Sequence, residues 1–148
     1  MRFGQVLGLG LLLAAAALGG CGEDDDPPAR PAATTTTSSG GIELKVDYDD
    51  GAGERSTGEL VCRSGEVRAS GTLFHGRAPA GLCSKARELT ELLTTQPEKD
   101  RMCTQIYGGP ETARVTGTIN GKPVDRRFAR TNGCEIADFT AAAGLLQP

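Results

Sequence analysis

Along residues 42–48 apolar and polar side chains alternate, with Ile42, Leu44, Val46 and Tyr48 set against Glu43, Lys45 and Asp47. A period of two marks a strand with one face buried. The turn-rich break Asp49-Asp50-Gly51-Ala52-Gly53 follows. The pattern predicts a second strand over residues 56–63 and extended chain over 67–74. The period then changes. Leu82, Ala86, Leu89, Leu92 and Leu93 recur at three- and four-residue steps, the apolar stripe of a helix over 80–94. Lys85, Arg87, Glu88 and Glu91 fill its other faces, Cys83 beside the stripe points inward, and Pro97 ends any continuation. Two extended runs, 111–119 and 122–130, flank Asn120-Gly121, the strongest short hairpin signal. A short second helix is expected within 135–146. Strands, then one main helix, then a hairpin predict an α+β domain with an antiparallel sheet over residues 42–148.

The first 41 residues follow neither period. Arg2 precedes an unbroken run of Leu, Ala and Gly over residues 7–20. A bilayer-crossing helix needs about 20 apolar residues, so this run reads as the apolar region of a signal peptide spanning 1–20. Leu18-Gly19-Gly20-Cys21 resembles the bacterial lipobox, in which small residues precede a Cys that receives a diacylglycerol. The expectation is a lipid on Cys21 and a chain held at the extracellular face of the membrane, or released from it into the medium. Residues 21–41 then form a tether. Glu23-Asp24-Asp25-Asp26 is a charge run, and Pro27, Pro28 and Pro31 give way to Thr, Ser and Gly. Nothing in that stretch can bury enough apolar surface to offset the cost of ordering it.

Composition narrows the class. With 16 basic and 19 acidic residues, the chain has no excess of positive charge for a nucleic acid. With four Phe, two Tyr and no Trp, the core must be small and aliphatic. A small core needs staples. The five cysteines supply them if Cys21 goes to the lipid, leaving Cys62, Cys83, Cys103 and Cys134 for two disulfides. Spacing alone leaves all three pairings open. No two of the four lie close enough together for a zinc site, and no glycine-rich phosphate loop appears, so neither metal nor cofactor is expected. His75, the single His, has no nucleophile or orienting partner nearby in sequence, so the chain does not read as an enzyme.

Between helix and hairpin lies a stretch with no period, residues 96–110. Its centre is Met102-Cys103-Thr104-Gln105-Ile106-Tyr107, bounded by Pro97 and by Gly108-Gly109-Pro110. A disulfide-bonded Cys inside an exposed loop would clamp it into an extended, convex segment. This segment, with Leu60-Val61-Cys62, Gly81-Leu82-Cys83, Val115-Thr116-Gly117-Thr118, Gly121-Lys122-Pro123-Val124 and Thr131-Asn132-Gly133-Cys134-Glu135, resembles the bacterial subtilisin inhibitors. The likeness covers roughly residues 44–139. It implies disulfides Cys62–Cys83 and Cys103–Cys134 and a reactive bond between Gln105 and Ile106. Met102, Cys103, Thr104 and Tyr107 would then contact the protease, and Asn132 would brace the loop by hydrogen bonds. It also implies a subtilisin-like serine protease as partner and a homodimer through the sheets. Thr104 stands where the family often has Pro, Gly108-Gly109 is one residue longer than usual, and the C-terminus lacks an aromatic final strand. The competing reading is a non-inhibitory cell-envelope lipoprotein, a binding module on the same scaffold.

Overall fold

The computed structural model describes residues 40–148; the leader, Cys21 and most of the tether lie outside the described residues. Five strands form one antiparallel sheet: β1 (Ile42–Asp49), β2 (Arg55–Arg63), β3 (Glu66–Ser70), β4 (Thr112–Ile119) and β5 (Lys122–Phe128), in the order β3-β2-β1-β4-β5. Among the described residues three helices, α1 (Pro79–Glu88), α2 (Thr90–Thr94) and α3 (Gly133–Leu146), pack against the sheet and one another. This is the α+β architecture read from the sequence.

The alternation sets the register. Val46 pairs with Gly58 on one side and Val115 on the other, and Ile42 pairs with Cys62 and Ile119. Ile42, Val46, Cys62, Val115 and Ile119 form the core together with Leu82, Ala86, Leu93, Phe139 and Leu145. The opposite face carries paired charges: Glu43 with Arg63, Asp49 with Arg55 at 2.9 Å, and Arg114 with Asp125 at 2.9 Å. Asn120 and Gly121 take φ of 50° and 79° in the β4–β5 turn, the left-handed values a tight hairpin demands.

Three expectations need correction. The helix over 80–94 is two helices, parted at Leu89, where ψ is 6°. The Thr90 hydroxyl donates to the Arg87 carbonyl at 2.8 Å, a local bond that competes with the helical ladder. Extended chain ends at Ser70 rather than Phe74, because Gly71 turns with φ 93° and sends Leu73 and Phe74 into the core. The second helix is not short. At 14 residues α3 is longer than the 10-residue α1, and it buries Phe139, Ala142, Leu145 and Leu146 at helical steps.

Candidate functional site

Residues 101–109 have no regular structure and lie between the end of α2 and β4. Apolar side chains here face outward. Met102 is 97% exposed, Tyr107 67% and Ile106 56%. Among the described residues the other large exposed hydrophobic is Val67, so exposure of this kind is concentrated on one segment. Burying such side chains in a partner is favourable, whereas leaving them in water gains nothing.

The segment is nonetheless fixed at both ends. Cys103 is bonded to Cys134, in the first turn of α3, and Cys62 is bonded to Cys83, joining β2 to α1. The pairing is the one the family resemblance implies. Next to Cys103, the Thr104 carbonyl accepts from Ile106 N–H at 3.0 Å and from Gly133 N–H at 2.9 Å. The first bond closes a three-residue turn centred on Gln105. The second satisfies one of the free N–H groups at the start of α3, so loop and helix cap each other. Gly133 lets the two approach closely, because a Cβ on it would crowd the Thr104 hydroxyl. These contacts fix Thr104 where a proline would otherwise have restricted the backbone.

Asn132 differs from its expected role. Its Oδ1 accepts from Cys134 N–H at 3.1 Å and Glu135 N–H at 3.0 Å, capping α3. No hydrogen bond from its side chain reaches the loop among the described residues. It acts on the loop only by holding the helix start that carries Gly133 and Cys134.

Beyond Tyr107 the exit leg is closely packed. Gly108 N–H donates to the Arg130 carbonyl at 2.8 Å, and a Cβ on Gly108 would meet Ile136 at 2.8 Å. Gly109 has φ 143° and lies against Glu111, whose Oε1 pairs with Arg130 at 2.7 Å. Pro110 rests on Gly51 in the β1–β2 turn. That turn is formed by Asp49 accepting from Gly51 N–H and by Asp50 accepting from Ala52 and Glu54 N–H. The Gly51 N–H, followed by Arg55, lowers the pKa of Asp49 below the ordinary carboxylate value. Tyr48 beside the exit leg shifts the other way: burial, then the Glu111 carboxylate, raises its phenol pKa above 10.0. The additional residue in Gly108-Gly109 is thus accommodated by close packing.

Sequence reasoning did not single out Arg126 and Asp138. Arg126 points inward from β5 and is buried; it donates to the Leu92 carbonyl at 3.2 Å and to Asp138 at 2.9 Å, and it lies 5.2 Å from the Phe128 ring centroid. The signal was present in Val124, Arg126 and Phe128 at alternate positions, which places a charge on the core face. Elsewhere an open groove of about 950 Å³ runs past Asp49, Arg55, Arg114 and Asp125 at one end of the sheet. Those four charges already pair with one another. Among the described residues no group of His, Cys, Asp and Glu is arranged to hold a metal ion.

No protein-family model matches the chain, and no curated protein matches it at a significant level. Among solved structures it is similar to the crystal structure of Streptomyces caespitosus sermetstatin in complex with Bacillus licheniformis subtilisin. The identity is 22% and the TM-score 0.41, over 72% of this chain and 97% of that one. At that distance the function must be argued from the chain's own geometry.

Proposed function

We propose that this chain inhibits subtilisin-like serine proteases by presenting the Gln105–Ile106 bond as a substrate that is not released. One observation carries the reading: a segment with strongly exposed Met102, Ile106 and Tyr107 has no regular structure, yet is fixed by a disulfide, backbone bonds and close glycine contacts. A flexible connector has no need of that bracing, and a buried one would not face its apolar side chains outward.

The mechanism follows from the fixed ends. The exposed segment lays its backbone along the edge of a protease cleft, and Gln105 at its turn fills the main specificity pocket. Little conformational entropy is lost, because the loop is already ordered. Attack on the Gln105 carbonyl would form an acyl-enzyme and free the Ile106 amine. That amine cannot diffuse away, since Gly108 is held by Arg130 and Pro110 rests on Gly51. On the other side Cys103 is held by Cys134. The amine therefore re-forms the peptide bond in competition with water. Interfaces of this class bury about 1,600 Å² in total.

Location belongs to the same reading. A lipid on Cys21 with residues 22–41 as tether would hold the inhibitor at the outer membrane surface, ~60–70 Å from it at full extension. The experiment is titration of the chain from residue 21 onward, carrying Cys21→Ser, against subtilisin. Stoichiometric inhibition, with slow appearance of a new N-terminus at Ile106, is expected. Gln105→Lys should switch on trypsin inhibition, because it supplies the cation that trypsin's buried aspartate seeks. A folded chain that leaves subtilisin untouched at micromolar concentration, and a lysine variant that ignores trypsin, would establish the binding-module reading instead.

A further inference from the structure

The entry leg of the loop crosses open space. A cavity of about 240 Å³ lies beneath it, lined by Pro97, Arg101, Cys103, Arg126, Cys134 and Asp138. Upstream, the Gln96 amide donates to the Asp125 carbonyl at 3.0 Å. The next covalent anchor is Cys103. Between these points Arg101 donates to both Asp138 carboxylate oxygens, at 3.4 and 3.0 Å. Asp138 is fixed in turn, because its Oδ2 also accepts from buried Arg126 at 2.9 Å.

Geometry makes this ion pair more than surface decoration. Cys134 and Asp138 are four residues apart on α3 and therefore share a face of the helix. Arg101 and Cys103, two apart on the leg, both reach that face, and Met102 between them faces outward. The outward side chain is 97% exposed while its neighbours are held by a two-bond ion pair and a disulfide. With a cavity beneath the leg in place of apolar packing, the direction of Met102 depends on both attachments.

We propose that Arg101, acting through Asp138, is a positioning residue that sets the presentation of Met102 and stiffens the entry side of the loop; this deepens the inhibitor reading and rests on it for its effect on a protease. Arg101 does not enter the protease's main pocket. It determines how much of the Met102 side chain the partner can use.

The test compares wild type, Arg101→Gln and Arg101→Lys in the full chain, leaving the buried Arg126–Asp138 pair intact. In the free protein, amide hydrogen exchange at Ile106 and Gly133 should rise about 5-fold in Arg101→Gln, the size expected of a two-bond, partly exposed ion pair. Exchange in β4 should not change, and Arg101→Lys should recover part of the protection. Against subtilisin, a double-mutant cycle with Met102→Gly should show coupling: removing the Met102 side chain should cost several-fold less affinity once Arg101 is neutralised. Unchanged exchange at Ile106 and Gly133 overturns the proposal whether or not subtilisin is inhibited, and so does an additive cycle. If exchange responds while wild type fails to inhibit, the positioning role stands and the inhibitor reading falls.

Discussion

The two disulfides are the same chemistry in opposite settings. Cys62–Cys83 closes a separation of 21 residues inside the core, where Cys62 is 3% and Cys83 1% exposed. Cys103–Cys134 closes 31 residues at the surface, tying a segment with no regular structure to the first turn of a helix. The first joins elements that apolar burial already holds together. The second joins a segment that burial does not hold, because its large side chains face water. A cross-link in the core therefore adds to stability, whereas a cross-link under the loop also confers order where packing supplies little.

Removing each bond in turn should separate these roles. Cys62→Ala with Cys83→Ala should cost about 2–5 kcal/mol in urea unfolding, while the fraction still folded resists cleavage at Gln105–Ile106 as wild type does. Cys103→Ala with Cys134→Ala should leave more of the core's stability and turn the loop into a substrate. Subtilisin should cut it on the order of 100-fold faster, about 3 kcal/mol of lost constraint. If both pairs lower stability alike and neither changes the cleavage rate, the contrast between them collapses.

Two glycines sharpen the same comparison at smaller cost. Gly133→Ala places a methyl group against the Thr104 side chain and should displace the loop. Affinity for subtilisin should fall about tenfold, with a modest drop in thermal midpoint. Gly81, inside α1, has nothing within 4 Å of an added Cβ. Gly81→Ala should raise stability by about 0.5–1 kcal/mol through helix propensity and leave inhibition unchanged. Equal effects on inhibition would show that the loop does not depend on its contact with α3.

The smallest effect concerns pH. Burial and Glu111 raise the Tyr48 pKa above its ordinary 10.0, so the folded state holds that proton more tightly than the unfolded chain does. Its contribution is fully present below about pH 10 and is lost as pH rises through the folded value. The thermal midpoint of wild type should therefore decline more steeply between pH 9 and 11 than that of Tyr48→Phe. Parallel curves would place Tyr48 outside the packed exit leg.

The N-terminal boundary of β1 and the β4–β5 hairpin were readable directly, since alternation and Asn-Gly act within a few residues. Other outcomes depended on distant partners. The 80–94 stripe is real, but its break at Leu89, where ψ is 6°, leaves no mark on the apolar period. Asn132 was expected on the loop and instead caps α3, because the residues after it form a helix whose free N–H groups lie closer. The inward charge of Arg126 was encoded in the alternation of β5, yet its partner Asp138 sits on α3, and no local pattern links the two.

By itself the sequence determined β1, β2 and the β4–β5 hairpin, which faces are apolar, that a small core needs cross-links, and that residues 101–109 follow no period. Those properties come from near neighbours, where backbone geometry imposes periods of two or 3.6. The resemblance already tied the loop to Cys134, but only the tertiary structure decided that Gly133 and Asp138 of α3 hold it as well. The loop and α3 are some thirty residues apart along the chain, a separation of 31 at the disulfide. They meet because the apolar face of α3 and the β4–β5 hairpin pack into one core, and that packing belongs to the whole chain rather than to any window of it.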